Sequence, residues 1–84
     1  GVLDVQSPIT LSLDAEGQLF MGGEGPLEQQ ALIPLLEAAT DGDTSRKIYL
    51  RGDQQLQYSR LVALLAELAN AGYSALSLVA EPEG

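Results

Sequence analysis

Between Ile48 and Val79 the chain carries two apolar alternations separated by one clean helical period, and no other stretch constrains the fold as much. Ile48 and Leu50 share one strand face, Tyr58, Leu61, Val62, Leu65 and Leu68 recur at three and four residues, and Leu76, Leu78 and Ala80 alternate again. The spacing predicts strand, helix, strand, with a core between that helix and one sheet face. Two strands joined this way, if adjacent, run parallel through a right-handed crossover.

The first half of the chain supplies a hairpin. Ile9, Leu11 and Leu13 alternate with Thr10, Ser12 and Asp14, Ala15-Glu16-Gly17 is the turn, and Leu19 and Met21 resume the buried face while Phe20 points the other way. Gly22 to Pro26 reads as a loop, with Pro26 placed at the first turn of a helix running to about Thr40. Leu27, Ala31, Leu32, Leu35, Leu36 and Ala39 form its apolar stripe. Pro34 falls inside that helix, where it would remove the bond to the Gln30 carbonyl at a cost of about 3 kcal/mol. Either the helix kinks there or its regular part begins nearer Leu32, and the unbroken phase of the stripe favours the kink.

Asp41 to Ser45 is a polar loop with Gly42 suited to a left-handed cap, Arg46 to Arg51 the third strand, Gln57 to Ala71 the second helix closed by Gly72, and Ser74 to Ala80 the last strand. Residues 1–8 read as a linker or weak edge strand cut off by Pro8, residues 81–84 as a loose tail, and residues 9–82 as one domain. The class is α+β, in the order ββαβαβ, a mixed sheet with two helices packed on one face. The other face carries Thr10, Ser12, Gln18, Phe20, Lys47, Tyr49, Arg51, Ser77 and Val79. Phe20 and Tyr49 add an aromatic component that serves either cross-strand packing or a partner surface.

Charge and side-chain inventory narrow the function. Twelve acids against four bases give a net charge of −8, and residues 1–45 hold eight of the acids and no base. Arg46, Lys47, Arg51 and Arg60 are too few to neutralise a phosphate backbone or an anionic membrane surface, so nucleic acid is not an expected partner. With neither Cys nor His, the chain has no thiol nucleophile, no zinc ribbon and no side chain that titrates near neutrality unperturbed. Asp41-Gly42-Asp43-Thr44 resembles the start of a calcium loop, but Gly52 stands where its closing Glu belongs. Gly22-Gly23-Glu24-Gly25 lacks the Lys of a phosphate loop. No catalytic residue, metal or cofactor is expected, and the chain does not read as an enzyme. No run of about 18 apolar residues occurs, and the start at Gly1, without Met or signal pattern, reads as that of an excised segment.

The segment IYLRGDQQLQYSRLVALLAELANAGYSALSLVAEP resembles the C-terminal part of the ExbD/TolR family of periplasmic energy-transduction proteins. The resemblance rests on the strand ending in Arg51-Gly52-Asp53, Tyr58 opening an apolar helix, the helix end Ala71-Gly72-Tyr73, and LSLV followed by Glu81-Pro82. Upstream, SPITLSLDAEGQLFMGGEGPL is similar to the family's first hairpin, and Phe20-Met21-Gly22-Gly23 leans towards the ExbD branch. Gly52, where Ala is expected, and Pro34 are departures. The resemblance implies a periplasmic domain of an inner-membrane protein, tethered by an N-terminal transmembrane helix outside this segment. Such a protein acts with an ExbB-type proton channel, dimerises, and contacts TonB to energise outer-membrane uptake. The TolR-like alternative acts in envelope maintenance and binds peptidoglycan. Phe20, Tyr49, Arg51, Asp53 and Tyr58 are the candidate partner-binding residues, although Tyr58 also reads as a helix-start core residue and Asp53 as a turn residue.

Overall fold

The computed structural model describes residues 8–79. Residues 1–7 of the expected linker or weak edge strand, Ala80 at the expected end of the last strand, and the expected tail at 81–84 lie outside them. A five-stranded mixed sheet has the order β3-β2-β1-β4-β5, formed by β1 (Ile9–Leu13), β2 (Leu19–Met21), β3 (Glu24–Leu27), β4 (Ile48–Gly52) and β5 (Leu76–Val79). Helix α1 is Leu32–Thr40, preceded by a 3-10 turn at Gln29–Ala31, and α2 is Tyr58–Asn70. Strand β1 pairs antiparallel with β2 and parallel with β4, and β4 pairs parallel with β5. The expected α+β class, the β1–β2 hairpin and the parallel strand-helix-strand unit are all present.

The β1–β2 turn is held by its first residue. Asp14 Oδ1 accepts from the Glu16 and Gln18 amides at 3.0 and 2.8 Å, closing the turn with a short polar side chain. The next turn corrects the sequence reading. Gly22 and Gly23 both have positive φ, 60° and 89°, the requirement of a two-residue type I′ hairpin. The supposed loop therefore turns straight into β3, where Leu27 pairs with Leu19 in the sheet instead of opening a helix stripe. Pro26 is tolerated there because β3 is an edge strand, whose outer side needs no N–H.

Helix α1 then begins later than expected, at Leu32, so Pro34 is its third residue. The first four N–H groups of a helix have no intrahelical partner, so Pro34 removes no bond and the expected kink is unnecessary. The second of the two readings, a regular helix from Leu32, holds.

The core lies between the helices and one sheet face. Leu11, Leu13, Leu19, Ile48 and Leu50 from the sheet meet Leu32 and Leu36 of α1, Leu64 and Leu68 of α2, and Tyr73. On α2 the buried stripe is displaced from the expected one. Leu64 and Leu68 are buried, Leu61 and Leu65 half-buried, and Tyr58 and Val62 stand 66% and 44% exposed. The core reading of Tyr58 is thereby corrected: it opens α2 with most of its side chain in solvent. Leu35 and Ala39 of α1 are also exposed, and Thr40 is buried in their stead.

The helix ends explain their own sequences. Gly72 at φ 101° lets the Tyr73 amide reach the Leu68 carbonyl and its own amide reach Ala69, a Schellman closure that turns Tyr73 into the core. There the Tyr73 hydroxyl lies 3.2 Å from Thr40 Oγ1. Thr40 donates its one proton to the Leu36 carbonyl at 2.8 Å, so the tyrosine is the donor between them.

Candidate functional site

The helix-free sheet face is laid out by strand register. Phe20 of β2 pairs with Ser12, Ser12 with Arg51, and Arg51 with Val79, forming one row across four strands. Thr10, Tyr49 and Ser77 form the row behind it. Strand alternation places these seven residues on one face because Leu11, Leu50 and Leu78 between them point to the helices. Phe20 and Tyr49 are half-buried and Arg51 is exposed.

At the carboxyl end of the row the sheet opens into a cleft of about 410 Å³ whose walls include Ser12, Asp14, Phe20, Arg51, Asp53 and Gln54. It brings together three of the five candidate residues: Phe20, Arg51 and Asp53. Tyr49 lies one row away on the same face. Tyr58 faces a second recess of about 340 Å³ with Leu56, Leu61, Leu78 and Val79. Gly52, Asp53 and Gln54 border both hollows, so the β4–α2 loop is the wall between them.

Asp53 shapes that wall. Its amide donates to the Leu13 carbonyl at 2.9 Å, its carbonyl accepts from Leu56, and its Oδ1 accepts from the Gln55 amide at 2.9 Å. It is a turn residue, and it still presents an exposed carboxylate. Gly52 is set by packing on the other side. A Cβ there would lie 3.2 Å from Leu56 Cδ2 and 3.5 Å from Leu61, so an alanine would require Leu56 to shift by a few tenths of an ångström.

The calcium-like loop has its own internal economy of bonds. Asp43 Oδ1 accepts from the Ser45 hydroxyl at 2.5 Å and the Ser45 amide at 3.0 Å. These bonds, with a smaller attraction from Arg46, hold the Asp43 carboxyl below its usual range. Among the described residues no group of acids is arranged to hold a metal ion.

What this arrangement offers is contact: one cleft with an aromatic wall and both signs of charge, one apolar recess, and a sheet edge. Residues 3–83 match the family model described as Biopolymer transport protein ExbD/TolR. The chain belongs to the ExbD/TolR family. It is 32% identical over 76 residues to the biopolymer transport protein ExbD of Escherichia coli K12, covering 90% of this chain and 53% of that protein. The ExbD of Shigella flexneri gives the same figures, and that of Pseudomonas putida is 27% identical over 74 residues, 88% of this chain and 52% of its own. The chain thus spans about half the length of these ExbD relatives. No helix among the described residues is long and apolar enough to cross a membrane.

Two features of the surface were not legible in the sequence of this ExbD/TolR domain. The outward turn of Val62 depends on where α2 sits over the sheet, and the convergence of Asp14 with Arg51 depends on the parallel β1–β4 pairing. Neither leaves a local signal.

Proposed function

We propose that this domain is the periplasmic part of an ExbD-like accessory protein that transduces the proton-motive force, and that it contacts a TonB-like partner to energise outer-membrane uptake. In this reading the protein is anchored in the inner membrane by a transmembrane helix upstream of the segment. Through that helix it acts with an ExbB-like proton channel, and the domain works as a homodimer. It is a contact module, not an enzyme.

The observation that best supports a contact role is the β5 edge. Strand β3, at the opposite edge, is blunted by Pro26 and by an irregular register against β2. Strand β5 carries no proline, and Leu78 and Val79 are 41% and 37% exposed and share a recess with Tyr58. An extended segment added to β5 would gain backbone bonds, with side-chain selection from the flanking apolar residues. Tyr49 sits on the strand behind β5 and could take part, whereas Phe20 is two strands further away. The net charge of −8 favours a Lys-rich segment.

Amide-shift titration with periplasmic peptides of TonB tests this reading. Expected are saturable shifts along β5 and the start of α2 that weaken as salt is raised. Sedimentation with purified sacculi, and no response to the peptides, would overturn it in favour of the TolR-like reading. The Phe20 cleft supports that second reading, since an aromatic wall among carboxylate, amide and guanidinium groups suits a polar glycan or its peptide.

A further inference from the structure

On its helix side the sheet is not fully roofed. Between β2, β3 and α2 lies a separate cleft of about 300 Å³, floored by Leu13, Leu19, Leu27 and Leu64 and flanked by Pro26 and Ala63. Leu13, Leu19 and Leu64 retain 8%, 5% and 4% exposure, whereas Leu11, Leu50 and Leu68 in the centre of the core retain none. One end carries Arg60. Its guanidinium lies against Gly17 so closely that a Cβ at that position would collide with it. Acids outnumber bases twelve to four in this chain, yet the Arg60 guanidinium makes no hydrogen bond or ion pair with any described residue, Glu16 on the adjoining turn included; its backbone amide donates to the Gln57 carbonyl. At the other end Gln29 Nε2 donates to Glu67 Oε1 at 3.1 Å, strapping the 3-10 turn to α2. Arg60 and Glu67 are two helical turns apart on α2, about 10 Å along its axis.

We propose that this cleft binds a small aliphatic carboxylate, its carboxylate on the Arg60 guanidinium and its chain along the leucine floor. The apolar floor excludes a fully polar ligand, because nothing there would replace its lost water. The guanidinium offers a two-pronged donor to a carboxylate and repels an alkylammonium of the same length. The strap between Gln29 and Glu67 closes the far end, so the chain is limited to about six to eight carbons. A simpler account has the aliphatic stem of Arg60 merely shielding the leucines. That account predicts no preference between a charged and a neutral ligand. The proposal stands apart from the transport reading, and its failure would leave that reading intact.

The test is titration of the isotope-labelled 84-residue chain with sodium hexanoate, 1-hexanol and hexylammonium chloride at constant ionic strength, followed by amide shifts. Expected are saturable shifts at Leu19, Leu27 and Leu64, with hexanoate bound about tenfold more tightly than hexanol and hexylammonium weakest. Arg60→Gln, on the exposed helix surface, should keep the folded spectrum and reduce hexanoate to the affinity of hexanol. Ala63→Leu should narrow the cleft and weaken both. Equal affinity for hexanoate and hexanol in the unaltered chain would overturn the proposal. So would insensitivity to Arg60→Gln, or shifts confined to the recess beside Tyr58.

Discussion

Asp41 ends α1 with φ at 56°, the one described residue other than glycine in the left-handed region. Its conformation lets the Gly42 amide reach the Glu37 carbonyl at 3.1 Å, so the strain serves to close the helix. Asp41→Gly relieves that strain and should stabilise the domain by about 0.5–1 kcal/mol, seen as a raised midpoint in urea unfolding. Two residues on, Asp43 depends on Ser45 for its low pKa. Ser45→Ala should move the Asp43 carboxyl upward, towards the ordinary range, in a pH titration followed by side-chain carbonyl shifts. Because the folded pKa lies below the unfolded one, the Ser45 bonds stabilise the fold above the unfolded pKa. That contribution fades as pH falls through the folded value. Tyr73 is a third residue with a specific burden. Tyr73→Phe leaves Thr40 bonded to Leu36 and loses only the bond between the hydroxyls, so a cost of about 1 kcal/mol is expected in the same unfolding assay.

At the scale of elements, the two periods in the sequence were sufficient for β1, β2, β4, α2 and β5, because each carries a regular apolar pattern, even β5, whose Leu78 stays exposed. They failed where an element has no such face. Glu24-Gly25-Pro26-Leu27 has no apolar alternation, and its proline argues against a strand. Only the Gly22-Gly23 pair signalled the hairpin, and a paired glycine is also an ordinary loop. The start of α1 was displaced for the same reason, since once Leu27 belongs to the sheet the helix must begin after the 3-10 turn. A variant separates the two readings of Pro34. Were it in mid-helix, Pro34→Ala would stabilise by about 3 kcal/mol. At the third position of α1 the gain should stay below about 1 kcal/mol. The candidate residues divide likewise. Phe20 and Tyr49 were placed on the open face by alternation alone, whereas the meeting of Phe20, Arg51 and Asp53 in one cleft needed the strand order.

For the molecule as a whole, that strand order has a mechanical meaning. Ile9, Ile48 and Leu76 lie level with one another in the parallel strands, so the chain enters β1 at one end of the sheet and leaves β5 near the other. Tension applied between Pro8 and Val79 would pull β1 and β5 in opposite senses along their own length, with β4 between them. Every bond of both ladders would then carry load together, whereas force applied across the β2–β3 turn would open its bonds one after another. Single-molecule extension from the two ends should therefore meet a higher rupture force than extension from the Gly22-Gly23 turn. A domain with this layout can bear a pull along its sheet without first coming apart at an edge.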